Sequence, residues 1–192
     1  MKKKLACLFL VSCVFLSLLP TSALATDDGG LEENTHFISS LAELEAFRDY
    51  INSGNTGTGE YFELTADIDM SAKYSETTGV SWEMIGDISD FATELETIHV
   101  FQGTFDGGGH TISGLYINKT GDGGMYGFDF GALFGTVDGG TIQNLNVQGS
   151  VSVAASSGET AGIAVAVRNG AITNCSFDGV VECPNYVACG IT

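Results

Sequence analysis

Two aspartates set two residues apart, Asp67 and Asp69, are the first side chains in this sequence that invite a chemical role. On a strand, residues i and i+2 share a face, so the pair presents the hard oxygen ligands that calcium takes. The competing reading is an acidic pair that water solvates. Gly123-Gly124-Met125-Tyr126-Gly127-Phe128-Asp129 approaches a Gly-rich calcium-binding nonapeptide, but its third glycine comes one place late and it has no tandem copy. Asp106 and His110 lie close in sequence. A carboxylate cluster with a base on one outer face is what cleavage of an acidic polysaccharide requires, yet Asp106-Gly107 is equally an ordinary turn. Tyr126, Phe128 and Phe130 alternate in a Gly-rich segment. They offer a platform to sugar rings or to a protein partner, or else pack as strand residues under a loop. His36, His99 and His110 are scattered and match no metal-ligand spacing, so no cofactor is expected.

The elements that position these residues are set by a repeat. Thr111-Ile112-Ser113-Gly114-Leu115-Tyr116-Ile117 recurs thirty residues on as Thr141-Ile142-Gln143-Asn144-Leu145-Asn146-Val147, and again as Ala171-Ile172-Thr173-Asn174-Cys175-Ser176-Phe177. A fixed period of this size marks a solenoid, whose coils bury their apolar sides only against each other. Within each copy the apolar positions are spaced three and then two apart, so the chain turns a corner between them. Gly114, Asn144 and Asn174 sit at that corner, and Gly and Asn tolerate the left-handed backbone it needs. Stacked in register, Gly114, Asn144 and Asn174 predict a structural ladder, in which the side chains of Asn144 and Asn174 form an amide ladder. Gly149 and Gly179 read as turns before second strands, in which Val151 and Val153 match Val181 and Cys183. Leu133 and Val137, matched by Ile163 and Val167, begin a third. The expected fold is all-β, a parallel β-helix of about 30 residues per coil, right-handed as parallel crossovers nearly always are. Cys175, Cys183 and Cys189 are expected as small inward hydrophobes, not as a disulfide framework.

Residues 1–25 read as a secretory signal: Lys2, Lys3 and Lys4, an apolar run from Leu5 to Leu19, then Ala23-Leu24-Ala25. A lipobox-like Leu10-Val11-Ser12-Cys13 is the rival reading, although apolar sequence continues past it to Leu19. The 26–38 segment reads as a flexible acidic lead, and 39–192 as the β-helix. A cap helix is expected over 40–53. Ser40-Leu41-Ala42-Glu43 is a capping box, Leu41, Leu44, Phe47 and Ile51 form an apolar stripe, and Gly54 stops it. Tyr61–Met70 reads as the first strand. The run Ala188-Cys189-Gly190-Ile191-Thr192 falls where a further coil would begin, so C-terminal truncation and missing coils of the same protein are expected. The whole sequence carries 7 basic and 24 acidic residues; without the three leader lysines, 4 remain against 24. Such an excess repels nucleic acid and anionic membrane alike, and no run beyond the leader approaches membrane-spanning length.

Phe101-Gln102-Gly103-Thr104-Phe105-Asp106-Gly107-Gly108-Gly109-His110-Thr111-Ile112-Ser113-Gly114-Leu115 resembles the entry coil of bacterial GLUG-motif surface proteins. So do Asp67-Ile68-Asp69-Met70 with Trp82 and Ile85-Gly86, and Gly131-Ala132-Leu133-Phe134-Gly135 with Ile142-Gln143-Asn144-Leu145. The resemblance covers about Ser39 to Thr192 and weakens at Ala161-Gly162-Ile163-Ala164-Val165, which bears on the coil's width there. It implies a secreted or wall-associated β-helix of a Gram-positive-like bacterium and brings no catalytic residue set. The expected function is a non-enzymatic extracellular or cell-surface stalk or adhesin-like module that binds a glycan or protein. The alternative is a carbohydrate-active β-helix fragment, a lyase or hydrolase.

Overall fold

The computed structural model describes residues 34–86, 99–119, 128–154, 157–184 and 187–191. The expected leader, 1–25, lies outside them. The described chain is a parallel β-helix with one helix. In order come β1 (Thr35–Ile38), α1 (Leu41–Asn52), β2 (Tyr61–Leu64), β3 (Ile68–Asp69), β4 (Val100–Phe101), β5 (Thr104–Asp106), β6 (Thr111–Lys119), β7 (Phe128–Gly131) and β8 (Phe134–Asp138). They are followed by β9 (Thr141–Gln143), β10 (Asn146–Val153), β11 (Ser157–Ala161), β12 (Ala164–Arg168), β13 (Ala171–Thr173), β14 (Ser176–Glu182) and β15 (Val187–Cys189). These strands form four sheets with orders β1-β2-β5-β9-β13, β14-β10-β6-β3, β15-β11-β7 and β12-β8-β4. A coil therefore has four faces, where the sequence suggested three. The face missed is β7-β11-β15: the alternating Phe128 and Phe130 of β7 have no apolar counterparts in β11, Ser157-Gly158-Glu159-Thr160-Ala161, so no repeat marks it.

The core is a set of rows running across coils. Phe62 pairs with Phe105, Phe105 with Ile142 and Ile142 with Ile172. On the next face Ile68 pairs with Ile112, Ile112 with Val147 and Val147 with Phe177. Each buried side chain contributes about 1.5–3 kcal/mol, offset by the conformational entropy of ordering the coil. On three faces the thirty-residue period holds from β8 onward: Val137 pairs with Val167, Ile142 with Ile172 and Val151 with Val181, while on the fourth Glu159 pairs with Val187, 28 residues on. Ala164 lies opposite Phe134 at the same spacing, so the weakened Ala161–Val165 stretch keeps the coil's width.

The first repeat stacks differently. Thr141 lies opposite Thr104, 37 residues earlier, not opposite Thr111. Thr111 and Ile112 lie opposite Asn146 and Val147, 35 residues on, and after a bulge Leu115 lies opposite Gly149, 34 on. The Gly107–Gly109 turn makes that corner longer, and the bulge at Gly114 adds one residue more. Gly149 and Gly179 are not turns either; they lie inside β10 and β14. Tyr61–Met70 is two short strands with a corner between them. In the segment expected to be flexible, Thr35–Ile38 pairs in parallel with Tyr61–Leu64. Four residues are too few to show periodicity, and the edge of β2 supplies their partners.

Helix α1 begins as expected. Ser40 is extended and its Oγ accepts from Glu43 N (3.4 Å), while Glu43 Oε2 accepts from Ser39 N (2.8 Å). Those bonds, the Ser39 backbone bond foremost, hold the Glu43 carboxyl below its ordinary range. Replacing Ser40 with alanine is expected to cost about 1 kcal/mol in a urea melt. Leu44, Phe47 and Ile51 are buried. Phe47 meets Phe62, Phe105 and Phe101 at ring-centroid distances of 4.4, 5.4 and 5.6 Å. Arg48 lies 4.7 Å over Trp82, and Tyr74 donates to Glu45 at 2.7 Å, tying the loop after β3 to the helix. The helix covers one end of the apolar interior.

Candidate functional site

The densest polar cluster sits at the corner between β5 and β6 and its counterparts below. Asn174 Nδ2 donates to Asn144 Oδ1 at 2.7 Å, and Asn144 Nδ2 donates to Asp106 Oδ1 at 3.0 Å. Asn144 and Asn174 have φ of 52° and 51°, the left-handed backbone expected of them. The amide ladder exists, but Gly114 is not its third member. Gly114, at φ 70°, lies against Ser71 in the loop after β3: a Cβ built on it would sit 2.6 Å from Ser71 N. The slipped register puts Asp106 in the expected place instead, as Asp106 pairs with Gln143 and Gly107 N donates to Gln143 O.

Asp106 is 8% exposed and fully engaged. Oδ1 accepts from Gly108 N (2.8 Å) and Asn144; Oδ2 accepts from Tyr61 Oη (2.5 Å) and Gln143 Nε2 (2.7 Å). A carboxylate has about four lone-pair sites, and here four donors take them. Burial pushes the carboxyl pKa up, but the bonds from Tyr61, Gly108, Gln143 and Asn144 outweigh it and hold it below the ordinary value. The Tyr61 hydroxyl is pushed up to about 12, mainly by its bond to Asp106. The cluster ties three successive coils together and leaves no lone pair for a nucleophile or base. From the sequence Asp106 reads as a turn residue or an acid; its place as the foot of the ladder depends on the 37-residue offset.

A second corner, unmarked in the sequence reading, works alike. Asn169, at φ 51°, donates to Asp138 Oδ1 at 3.2 Å. Its signal was available, since Asn169 follows Gly139 by thirty residues and Gly139 also has positive φ, 81°.

Asp67 and Asp69 are both exposed. Asp67 Oδ1 accepts from Thr111 N (2.9 Å) and lies 3.3 Å from His110 Nδ1; these bonds, Thr111 first, lower its pKa. Asp69 Oδ1 accepts from Ser71 N at 2.9 Å, which lowers its pKa likewise. Asp67 anchors the start of β6, and Asp69 the loop after β3. Among the described residues no group of three His, Cys, Asp or Glu side chains is placed to hold a metal ion. Tyr126 and the side chain of Phe128 lie outside the described residues. Phe130 packs, half-buried, against Met84, Ala132, Ala161 and Val165. Cys175, Cys183 and Cys189 are free thiols of intermediate burial, and Cys175 packs against the core.

Among the described residues no helix is long and apolar enough to cross a membrane. No family model matches the chain, and no solved structure matches it. Two longer proteins do. Halomucin of Haloquadratum walsbyi is 32% identical over 159 residues, covering 82% of this chain and 2% of halomucin. A protein of Evansella cellulosilytica named as a Gly-rich membrane protein is 31% identical over 150 residues, covering 78% of this chain and 15% of that protein. The chain is thus similar to a small part of each relative.

Proposed function

We propose that this chain is a non-enzymatic, GLUG-type β-helix module held outside the cell at its surface, a stiff acidic stalk with an adhesin-like contact patch. The observation that carries the reading is the saturation of Asp106. The carboxylate best placed for catalysis gives all four acceptor sites to Tyr61, Gly108, Gln143 and Asn144. Asp67 and Asp69 each commit one oxygen to a backbone amide. Polar side chains at the corners hold coils in register, which is the work of a scaffold. The names of the two relatives, a halomucin and a Gly-rich membrane protein, support a surface or membrane-associated setting. The net charge of −17 supports a solenoid that stays dispersed and off anionic membranes.

The contact patch in this reading is the aromatic run Tyr126, Phe128 and Phe130, with a surface glycan or a protein as its partner. The experiment joins a location test to a binding test. Protease treatment of intact cells removes the protein while cytoplasmic markers survive. On a glycan array, the double substitution Tyr126→Ala and Phe128→Ala weakens binding by about tenfold or more, the loss of roughly one stacking contact. Unchanged binding by a folded double variant removes the patch. Release of reducing or unsaturated sugar ends from a polysaccharide panel removes the non-enzymatic reading.

A further inference from the structure

We propose that the outer face of β6 and β10 is a binding site for an uncharged polysaccharide, separate from the aromatic run Tyr126, Phe128 and Phe130. The inference rests on the reading of the chain as a glycan-binding surface module and adds a second place and a ligand class to it.

Both strands lie inside the sheet of order β14-β10-β6-β3, with a coil on either side. Along β10 the residues Val147, Val151 and Val153 are buried, so Gln148, Ser150 and Ser152 point outward. Along β6 the buried Leu115 and Ile117 alternate with Tyr116 and Asn118. The ladder sets Ser150 opposite Tyr116 and Ser152 opposite Asn118, with strands about 4.8 Å apart from coil to coil. Neither strand offers a backbone edge here. β10 is paired on both sides. The far side of β6 is taken by Trp82 N, which donates to Tyr116 O at 2.8 Å, and by Ser81 Oγ, which accepts from Asn118 N at 3.0 Å. An added peptide strand finds no open ladder, so a ligand meets side chains alone.

What those side chains share is the absence of charge, in a sequence of 24 acidic and 7 basic residues. β10 has no charged residue, and the single one of β6, Lys119, lies 4.0 Å from Asp129. Each of the other sheets carries charge on its inner strands: Glu63 in β2, Asp138 in β8 and Glu159 in β11. Hydroxyls and amides both donate and accept, as sugar hydroxyls do. Gln148, Ser150 and Ser152 form no side-chain hydrogen bond with the other described residues. Tyr116 adds an aromatic surface for the C–H face of a sugar ring. Packing against the core holds it in place, and Asn118 Nδ2 donates to its hydroxyl at 3.2 Å. Asp69 on β3 and Asp178 and Glu182 on β14 border the strip. They repel an acidic polysaccharide and accept from the hydroxyls of an uncharged one.

Affinity electrophoresis of the exported protein in gels holding a soluble β-glucan, a mannan, a dextran or polygalacturonate tests this. The expected result is retardation by at least one of the uncharged polymers and none by polygalacturonate. Tyr116→Ala weakens that binding about tenfold or more, and Tyr116→Phe, which keeps the ring, by no more than about threefold. Ser150 stands outward beside the ring, so Ser150→Arg keeps the fold while laying a guanidinium over the ring, and it weakens binding by a similar factor to Tyr116→Ala. Fluorescence of the buried Trp82 reports that each variant is folded. Binding that survives both Tyr116→Ala and Ser150→Arg overturns this site; loss with Tyr126→Ala and Phe128→Ala in its stead leaves the aromatic run standing. Retardation by polygalacturonate alone, or by none of the polymers, overturns it too, while protease removal from intact cells still supports the surface location.

Discussion

Replacing Asp106 with alanine lowers the unfolding free energy by about 3–5 kcal/mol, because one carboxylate serves four donors drawn from three coils. Tyr61 belongs to β2, Gly108 to the corner beside Asp106, and Gln143 and Asn144 to the coil that follows. A bond to a charged acceptor contributes about 1.5–3 kcal/mol, and a buried donor left without one costs about 1–3 kcal/mol. These terms overlap, since alanine admits water to part of the cluster, so the expected loss is well below their sum. Asp106→Asn does little better, as its amide turns a donor toward groups that also donate. Urea unfolding followed by fluorescence of Trp82, the sole tryptophan and 1% exposed, measures it. A loss below about 1 kcal/mol would mean the cluster is incidental, on the scale of an ordinary surface change.

The same cluster writes a pH signature with a defined sign. The folded Asp106 pKa lies below its ordinary value, so the folded state binds fewer protons than the unfolded state in acid. Its contribution is complete above the unfolded value of about 4 and is lost as pH falls through the folded one. Tyr61 acts at the other end. Its folded pKa is about 12, so its contribution is complete below the unfolded value of about 10. It is lost as pH rises through about 12. Because the Asp106 bond is the main cause of the Tyr61 shift, the Asp106→Ala variant brings the tyrosine's ionisation back toward about 10. Ultraviolet difference absorbance reads that midpoint. A midpoint unmoved by the substitution sinks the coupling.

Why the solenoid was legible and the ladder's foot was not comes down to which residues repeat without insertions. Between Asn144 and Asn174 the period is unbroken, and the corner bond between them follows from the sequence alone. Above Asn144 the chain inserts two residues at Gly107–Gly109 and one at Gly114, and each shifts the register while leaving the local apolar pattern intact. The motif around Gly114 therefore resembles the later corners without stacking on them, and Asp106, which does stack, has no amide to betray it. The cap helix was readable because Ser40, Glu43 and the Leu44-Phe47-Ile51 stripe are local signals. Strand β1 was not, since its only reason to be extended is the edge of β2, 26 residues away. At Asp67 and Asp69 sequence shows the charge but not the amides of Thr111 and Ser71 that each bond to one carboxylate oxygen.

Substituting Gly149 with alanine is expected to cost about 3 kcal/mol, the upper part of the range for overpacking, and the reason is distance between coils. Gly149 lies inside β10 opposite Leu115, just past the bulge. An added Cβ would collide with the Leu115 carbonyl oxygen and come within 2.7 Å of the Leu115 Cβ. Backbone on both sides of the contact is held by ladder bonds, so neither side yields without parting β10 from β6. Two other glycines separate this cause from the ordinary cost of replacing glycine. Gly139 has φ 81° with nothing within 4 Å of a Cβ, so Gly139→Ala bears only the left-handed penalty, about 1 kcal/mol. Gly190 is equally open and lacks a positive φ, so Gly190→Ala falls within about 0.5 kcal/mol of the parent. Because each coil leans only on its neighbours, Gly149→Ala also loosens the coils beyond it first, seen as faster amide exchange in β14 than in β2. Equal losses at Gly139 and Gly149 would show that close approach of successive coils is not what the glycine at 149 provides.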